Sequence, residues 1–166
     1  TGKLTPVRDQ GSFGDCWAFA TLASMESNML PGETRDFSEN NMAMNSGFDW
    51  DIYEGGNATI SSAYLARWGG PVNQSDDPND GAKRSGIVVR KHMQEMAWLP
   101  QPASVNETVF KDNVKAAILA YGAVYSSVYW DDNASKNNYT TYYNTHCTTP
   151  YGMGGSCTCT AASCGG

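Results

Sequence analysis

The chain has 166 residues, a mass of 18.0 kDa and a hydrophobic fraction of 40%, enough to build a core and to exclude general disorder. Lys and Arg number 11 against 17 Asp and Glu, for a net charge of -6; so few cations leave no footprint for a phosphate backbone, which argues against a nucleic-acid partner. No apolar run approaches the roughly 18 residues of a membrane span, and Thr1-Gly2-Lys3-Leu4 lacks the layout of a signal peptide.

A glycine-rich approach, Asp9-Gln10-Gly11-Ser12-Phe13-Gly14-Asp15, leads into the first periodic segment. Ala18, Leu22, Met25 and Met29 recur at offsets of four, three and four, one face of a helix that Pro31-Gly32 ends. Asp15 is the expected N-cap, which makes Cys16 the first helical residue. A second short helix is expected from about Ser38 to Met44. Ile60, Tyr64 and Trp68 at spacing four mark a third, closed by Gly69-Gly70-Pro71. Residues 73–86 read as an exposed loop, and Ile87-Val88-Val89 to Leu99 as a strand broken by Pro100 and Pro102. Phe110, Val114, Ala117, Ile118 and Tyr121 define a fourth helix with Gly122 beyond its end. Val124, Val128 and Trp130 open a strand, and from Thr145 the chain turns to small residues without periodicity.

The five cysteines are unevenly placed. Cys16 stands alone, whereas Cys147, Cys157, Cys159 and Cys164 crowd the last twenty positions. For those four, two disulfides, free thiols and a zinc site with His146 are the alternatives; the single-residue gap in Cys157-Thr158-Cys159 disfavours zinc. Sequons at Asn57, Asn73, Asn106, Asn133 and Asn138 fit an extracellular or cell-surface protein, although a chain rich in Asn, Ser and Thr also generates them by chance.

Cys16 is where chemistry is expected. The first turn of a helix offers unpaired N–H groups and the positive end of the macrodipole, both of which favour a thiolate. Gln10, six positions earlier, and the Cys16 backbone N–H would form a two-donor oxyanion hole for acyl transfer. The other reading of Cys16 is a buried inert thiol, since free cysteine is often core.

The block from Pro6 to Ala20 resembles the active-site segment of the papain/cathepsin family of cysteine peptidases. Phe37-Ser38-Glu39-Asn40 resembles that family's second helix start, Gly55-Gly56 its glycine pair, and Ala117-Ile118 through Gly122-Ala123-Val124 the entry to its second lobe; Asp77-Pro78-Asn79 stands where an aromatic-Pro-aromatic element is usual. In style the chain looks nearest to secreted bacterial and archaeal members. The resemblance implies an α+β fold of two lobes: a helical first lobe over 1–100, the start of a β-barrel lobe over 101–144, and an atypical tail over 145–166. It implies Cys16 as nucleophile and Gln10 as oxyanion donor, with Gly14, Trp17, Gly55 and Gly56 meeting substrate. The substrate would be a protein or peptide, the chain a monomer, and neither metal nor cofactor is needed.

Three departures matter. Phe13 replaces a cysteine whose bridge braces the cleft in most members, so packing must hold the cleft here. Asp15 sets a carboxylate beside the nucleophile, which opposes thiolate formation. The base is unplaced: His92 lies ahead of the second lobe, and His146, 130 positions after Cys16, is followed by Cys147-Thr148-Thr149-Pro150 and no apolar strand, with no orienting Asn after it. The expectation is a fragment lacking most of the second lobe and inactive by itself. A non-catalytic protein keeping the fold for binding or adhesion is the alternative.

Overall fold

The structure is a computed structural model of the chain, described for residues 2–101 and 104–127. Thr1–Ser126 forms one compact unit, to which the described helices belong. Val128, Trp130, His146 and the four tail cysteines lie outside the described residues.

Four helices form, near the expected positions: α1 (Cys16–Met29), α2 (Glu39–Met44), α3 (Ala58–Ala66) and α4 (Glu107–Tyr121). Polar caps set their starts. Ser38 Oγ accepts from the Asn41 N–H at α2, Asn57 Oδ1 from Thr59 and Ile60 at α3, and Asn106 Oδ1 from Val109 at α4. Two of the sequon asparagines are therefore helix caps, a sufficient local reason for Asn at both places. The core lies where α1 meets α2 and α3, with Ala18, Leu22, Phe37, Met42, Ile60, Tyr64 and Leu65 buried together and Met25 and Met29 packed at its margin.

Three expectations are corrected. Trp68 lies beyond the end of α3, at φ 61° and largely exposed, stacked on His92 with ring centroids 4.5 Å apart. A residue forced into the left-handed region cannot continue a helix. The expected strand from Ile87 to Leu99 does not form; among the described residues the β pairing is the single bridge Phe37–Asn73. Period-2 side chains make a strand only where an edge offers ladder partners, and here residues 87–100 run as a strap. Arg90 N–H donates to Pro71 O at 2.8 Å, Arg90 and Lys91 pair with Asp76 and Glu33, and Met93 and Met96 lie against the core. Loop 73–86 is exposed only in part. Asp77 is fully buried, accepting from Asn40 (2.7 Å), Asn41 (2.8 Å) and Arg84 (2.9 Å).

The approach to α1 is anchored by Arg8. Its guanidinium meets Glu26 of α1 at 2.8 Å, Glu39 of α2 at 2.5 Å and Asp36 at 2.8 Å. Glu26 also accepts from the Phe37 N–H at 2.7 Å, so one buried carboxylate ties the approach, α1 and the start of α2 together. Burial pushes the Glu26 and Glu39 carboxyls up, against the lowering pull of Arg8. On the other side of α1, Ser24, Ser27 and Asn28 bond the backbone of Ala123 and Tyr121, holding the end of α4.

Arg8→Ala leaves two buried carboxylates without their cation and is expected to destabilise the chain by about 3–5 kcal/mol in denaturant unfolding. A loss no greater than that of an exposed ion pair would show that Arg8 anchors nothing.

Candidate active site

The glycine-rich approach and the loop at 47–56 meet through main chain. Gly14 N–H donates to Ile52 O at 2.8 Å, and a Cβ on Gly14 would stand 2.7 Å from both Tyr53 O and Gly55 N. Only glycine allows two backbones this close. Phe13 stands against the Tyr53 ring at a centroid distance of 5.6 Å and against Gly81. The brace expected of packing in place of a disulfide is thus an aromatic contact between the same two loops. Trp50 Nε1 donates to Gly55 O at 2.7 Å and fixes the outer end of the wall.

Cys16 lies on this seam, exposed, as the first residue of α1. The inert-core reading of its thiol does not hold. Its amide is at the first helical position, where no intrahelical acceptor exists. The Gln10 side-chain amide turns inward and donates from Nε2 to Phe13 O at 2.6 Å, which curls the loop and leaves its second hydrogen uncommitted. The Asp9 carboxylate turns the same loop by accepting from Gly11 N–H at 2.8 Å.

Trp17 is buried at 4% exposure, with its indole beneath Gly56, where any Cβ would overlap the ring. The structure therefore puts Trp17 in the floor under the glycine pair, with Gly55 and Gly56 half-exposed above it. Gln10, Gly14, Cys16, Trp17, Gly55 and Gly56 belong to one compact unit; the contacts just given bring Gly14 to Gly55 and Trp17 to Gly56, while the Gln10 side chain is joined to Phe13 O and not to Cys16. His92 is engaged with Trp68 instead.

Asp15 occupies the N-cap position but does not cap, since its side chain makes no bond to the helix. Both carboxylate oxygens are buried without a hydrogen-bond partner of normal geometry, and burial raises the carboxyl above its ordinary value. Asn40 and Asn79 stand in stretches that the sequence already singles out, but nothing in the sequence pointed to their contacts around Asp15. Asn79 Oδ1 is a second buried orphan, and Asn40 holds the turn after it by donating to Ala82 O (2.8 Å) and accepting from Gly81 N–H (3.0 Å).

An exposed thiol at a helix start, a glycine seam and an amide-bearing approach loop lie close together in this part of the chain. The family description "Papain family cysteine protease" matches residues 1–157, and the chain belongs to that family. It is 27% identical over 166 residues to cysteine proteinase 1 of Entamoeba histolytica, covering 92% of this chain and 52% of that protein. It is 32% identical over 118 residues to the viral cathepsin of Lymantria dispar multicapsid nuclear polyhedrosis virus, covering 69% of this chain and 33% of that protein. Among solved structures, one from a study of the mite allergens Blo t 1 and Der p 1 superposes with a TM-score of 0.54 at 21% identity, over 72% of this chain and 40% of that one, a likeness of fold. The chain spans about half the length of the amoebal relative, and these amoebal and viral relatives give no support to a special nearness to bacterial or archaeal members.

Gly14→Ala is expected to cost about 1–3 kcal/mol, because the new methyl meets fixed backbone on the opposite loop. Unfolding midpoints check it, and a midpoint unchanged from the native chain would mean that the two loops are not locked together.

Proposed function

We propose that this chain is the nucleophile-bearing part of a secreted cysteine endopeptidase, with 1–100 as its helical lobe, 101–144 opening the second lobe and 145–166 an atypical tail. The observation that carries this reading is the exposed Cys16 at the start of α1, two residues from the main-chain bond that joins Gly14 to Ile52. A thiolate there attacks the peptide carbonyl carbon, the C–S bond forms, and the carbonyl oxygen takes the negative charge. The Cys16 N–H and the free Gln10 amide hydrogen receive that oxyanion, while Gly55 and Gly56 accept the substrate main chain above Trp17. A histidine takes the thiol proton and delivers it to the leaving amine; His146 is the candidate within the chain, and a residue of a longer chain is the other. Water then cleaves the thioester, and no cofactor enters the scheme. Secretion is supported by the low charge and polar surface composition.

The test is hydrolysis of a fluorogenic peptide by the longest chain the gene encodes, with iodoacetamide labelling followed by mass spectrometry. Cys16→Ser is expected to abolish turnover and labelling at that position. Gln10→Ala is expected to lower kcat/KM by about 10²–10³, the usual effect of losing one oxyanion donor. Turnover that survives Cys16→Ser would overturn the assignment, and a folded full-length protein with no turnover and an inert Cys16 would favour the binding-protein alternative.

A further inference from the structure

One buried ionisable group near the nucleophile has no place in that scheme. Asp15 has no exposure at all, and neither of its oxygens has a hydrogen-bond partner of normal geometry; burial raises its carboxyl by more than the nearby Asn79 side chain and its own backbone N–H lower it. The Asn79 amide lies against it, and Asn79 Oδ1 is buried and unpartnered too. As a carboxylate facing that amide, Asp15 would be a buried negative charge with no cation, and Asn79 would keep an orphan oxygen. Among the described residues the charged groups on the segments around it are committed elsewhere or of like sign. Arg84 is spent on Asp77 and Asp80. On the 47–56 loop Asp51 and Glu54 are acidic, as is Asp9 on the approach, and Lys83 makes no bond to Asp15. The first turn of α1 adds no charged residue other than Cys16 when ionised.

A single proton resolves both orphans. We propose that Asp15 stands as a neutral carboxylic acid in the folded protein, its O–H donating to Asn79 Oδ1, and that this neutrality is what allows a thiolate at Cys16. Asp15 is then a positioning residue that acts through Cys16, a role that rests on the peptidase reading. The turn that presents Asn79 is held by Asn40 on α2 and by the buried Asp77, so the acceptor is in place before substrate arrives. As pH rises, Asp15 loses its proton to solvent and a like charge appears beside the sulfur, slowing its chemistry.

Burial also sets the direction of the stability effect. A carboxyl raised in this way keeps its proton in the folded chain after the unfolded chain has released it near the ordinary value of about 4. Stability therefore falls as pH rises from that ordinary value through the folded one, and Asp15→Asn, which keeps the neutral shape, removes the fall.

The experiment is a ¹³C titration of the aspartate carboxyl carbons in the full chain, with the Asp15 signal assigned through its own amide. Cys16 alkylation by iodoacetamide is followed over the same pH range in the native protein and Asp15→Asn. The Asp15 signal is expected to titrate above the other aspartates. The two alkylation profiles are expected to coincide at the acidic end and then to diverge, with the variant about threefold faster or more, the factor set by one like charge at short range under water-like screening. An Asp15 signal that titrates with the exposed aspartates overturns the proposal, and the native titration decides this even if the variant does not fold. A raised titration with coincident alkylation profiles overturns the link to Cys16. A Cys16 inert in both proteins at every pH is a failure of the peptidase reading, while the carboxyl titration still decides whether the proton is shared.

Discussion

The bond from Gly14 N–H to Ile52 O, at 2.8 Å, joins the loop that leads into Cys16 to the loop that carries Gly55 and Gly56. Everything specific to the site is arranged around that main-chain contact. It needs a residue without a side chain at position 14, since a Cβ would meet backbone on two sides. It also needs both loops to be held from behind. Arg8 supplies one hold by pinning the approach to α1 and α2. Trp17 supplies the other, filling the space under Gly56. Phe13 on Tyr53 then closes the joint without a covalent bridge. A contact of this kind is local and directional, so it carries the position of a core helix directly into the loop of Gly55 and Gly56.

The helices were legible because a 3.6-residue period and a polar cap are properties of a few neighbouring residues. Ala18 and Leu22 are buried on α1 as their spacing requires, and Ser38 caps α2. The family was legible for a different reason: Gln10 to Cys16 is a short contiguous block whose residue types have few other uses. What could not be read were contacts made across long separations. Arg8 reaches residues 18 and 31 positions away, and Asn40 and Asn41 meet Asp77 some 37 and 36 positions on. Neither pairing leaves any local pattern. The strap at 87–100 misled because alternating side chains describe a surface that is half buried, and a chain crossing a core margin meets that description without a sheet.

The same distinction bears on Asp15. From sequence it reads as a cap and as an obstacle to a thiolate. In the structure it caps nothing, its oxygens are desolvated, and its neighbour is an amide. Burial raises the carboxyl above its ordinary value, so the residue's identity alone is a poor guide to the charge it carries.

Amide hydrogen exchange at Gly14 tests most directly whether the two loops form one preassembled site. The account predicts that this N–H exchanges as slowly as the backbone amides in the middle of α1, with protection that persists in Cys16→Ser. Exchange as fast as that of the exposed Ser12 amide would contradict it, because the nucleophile and the wall would then be joined only transiently.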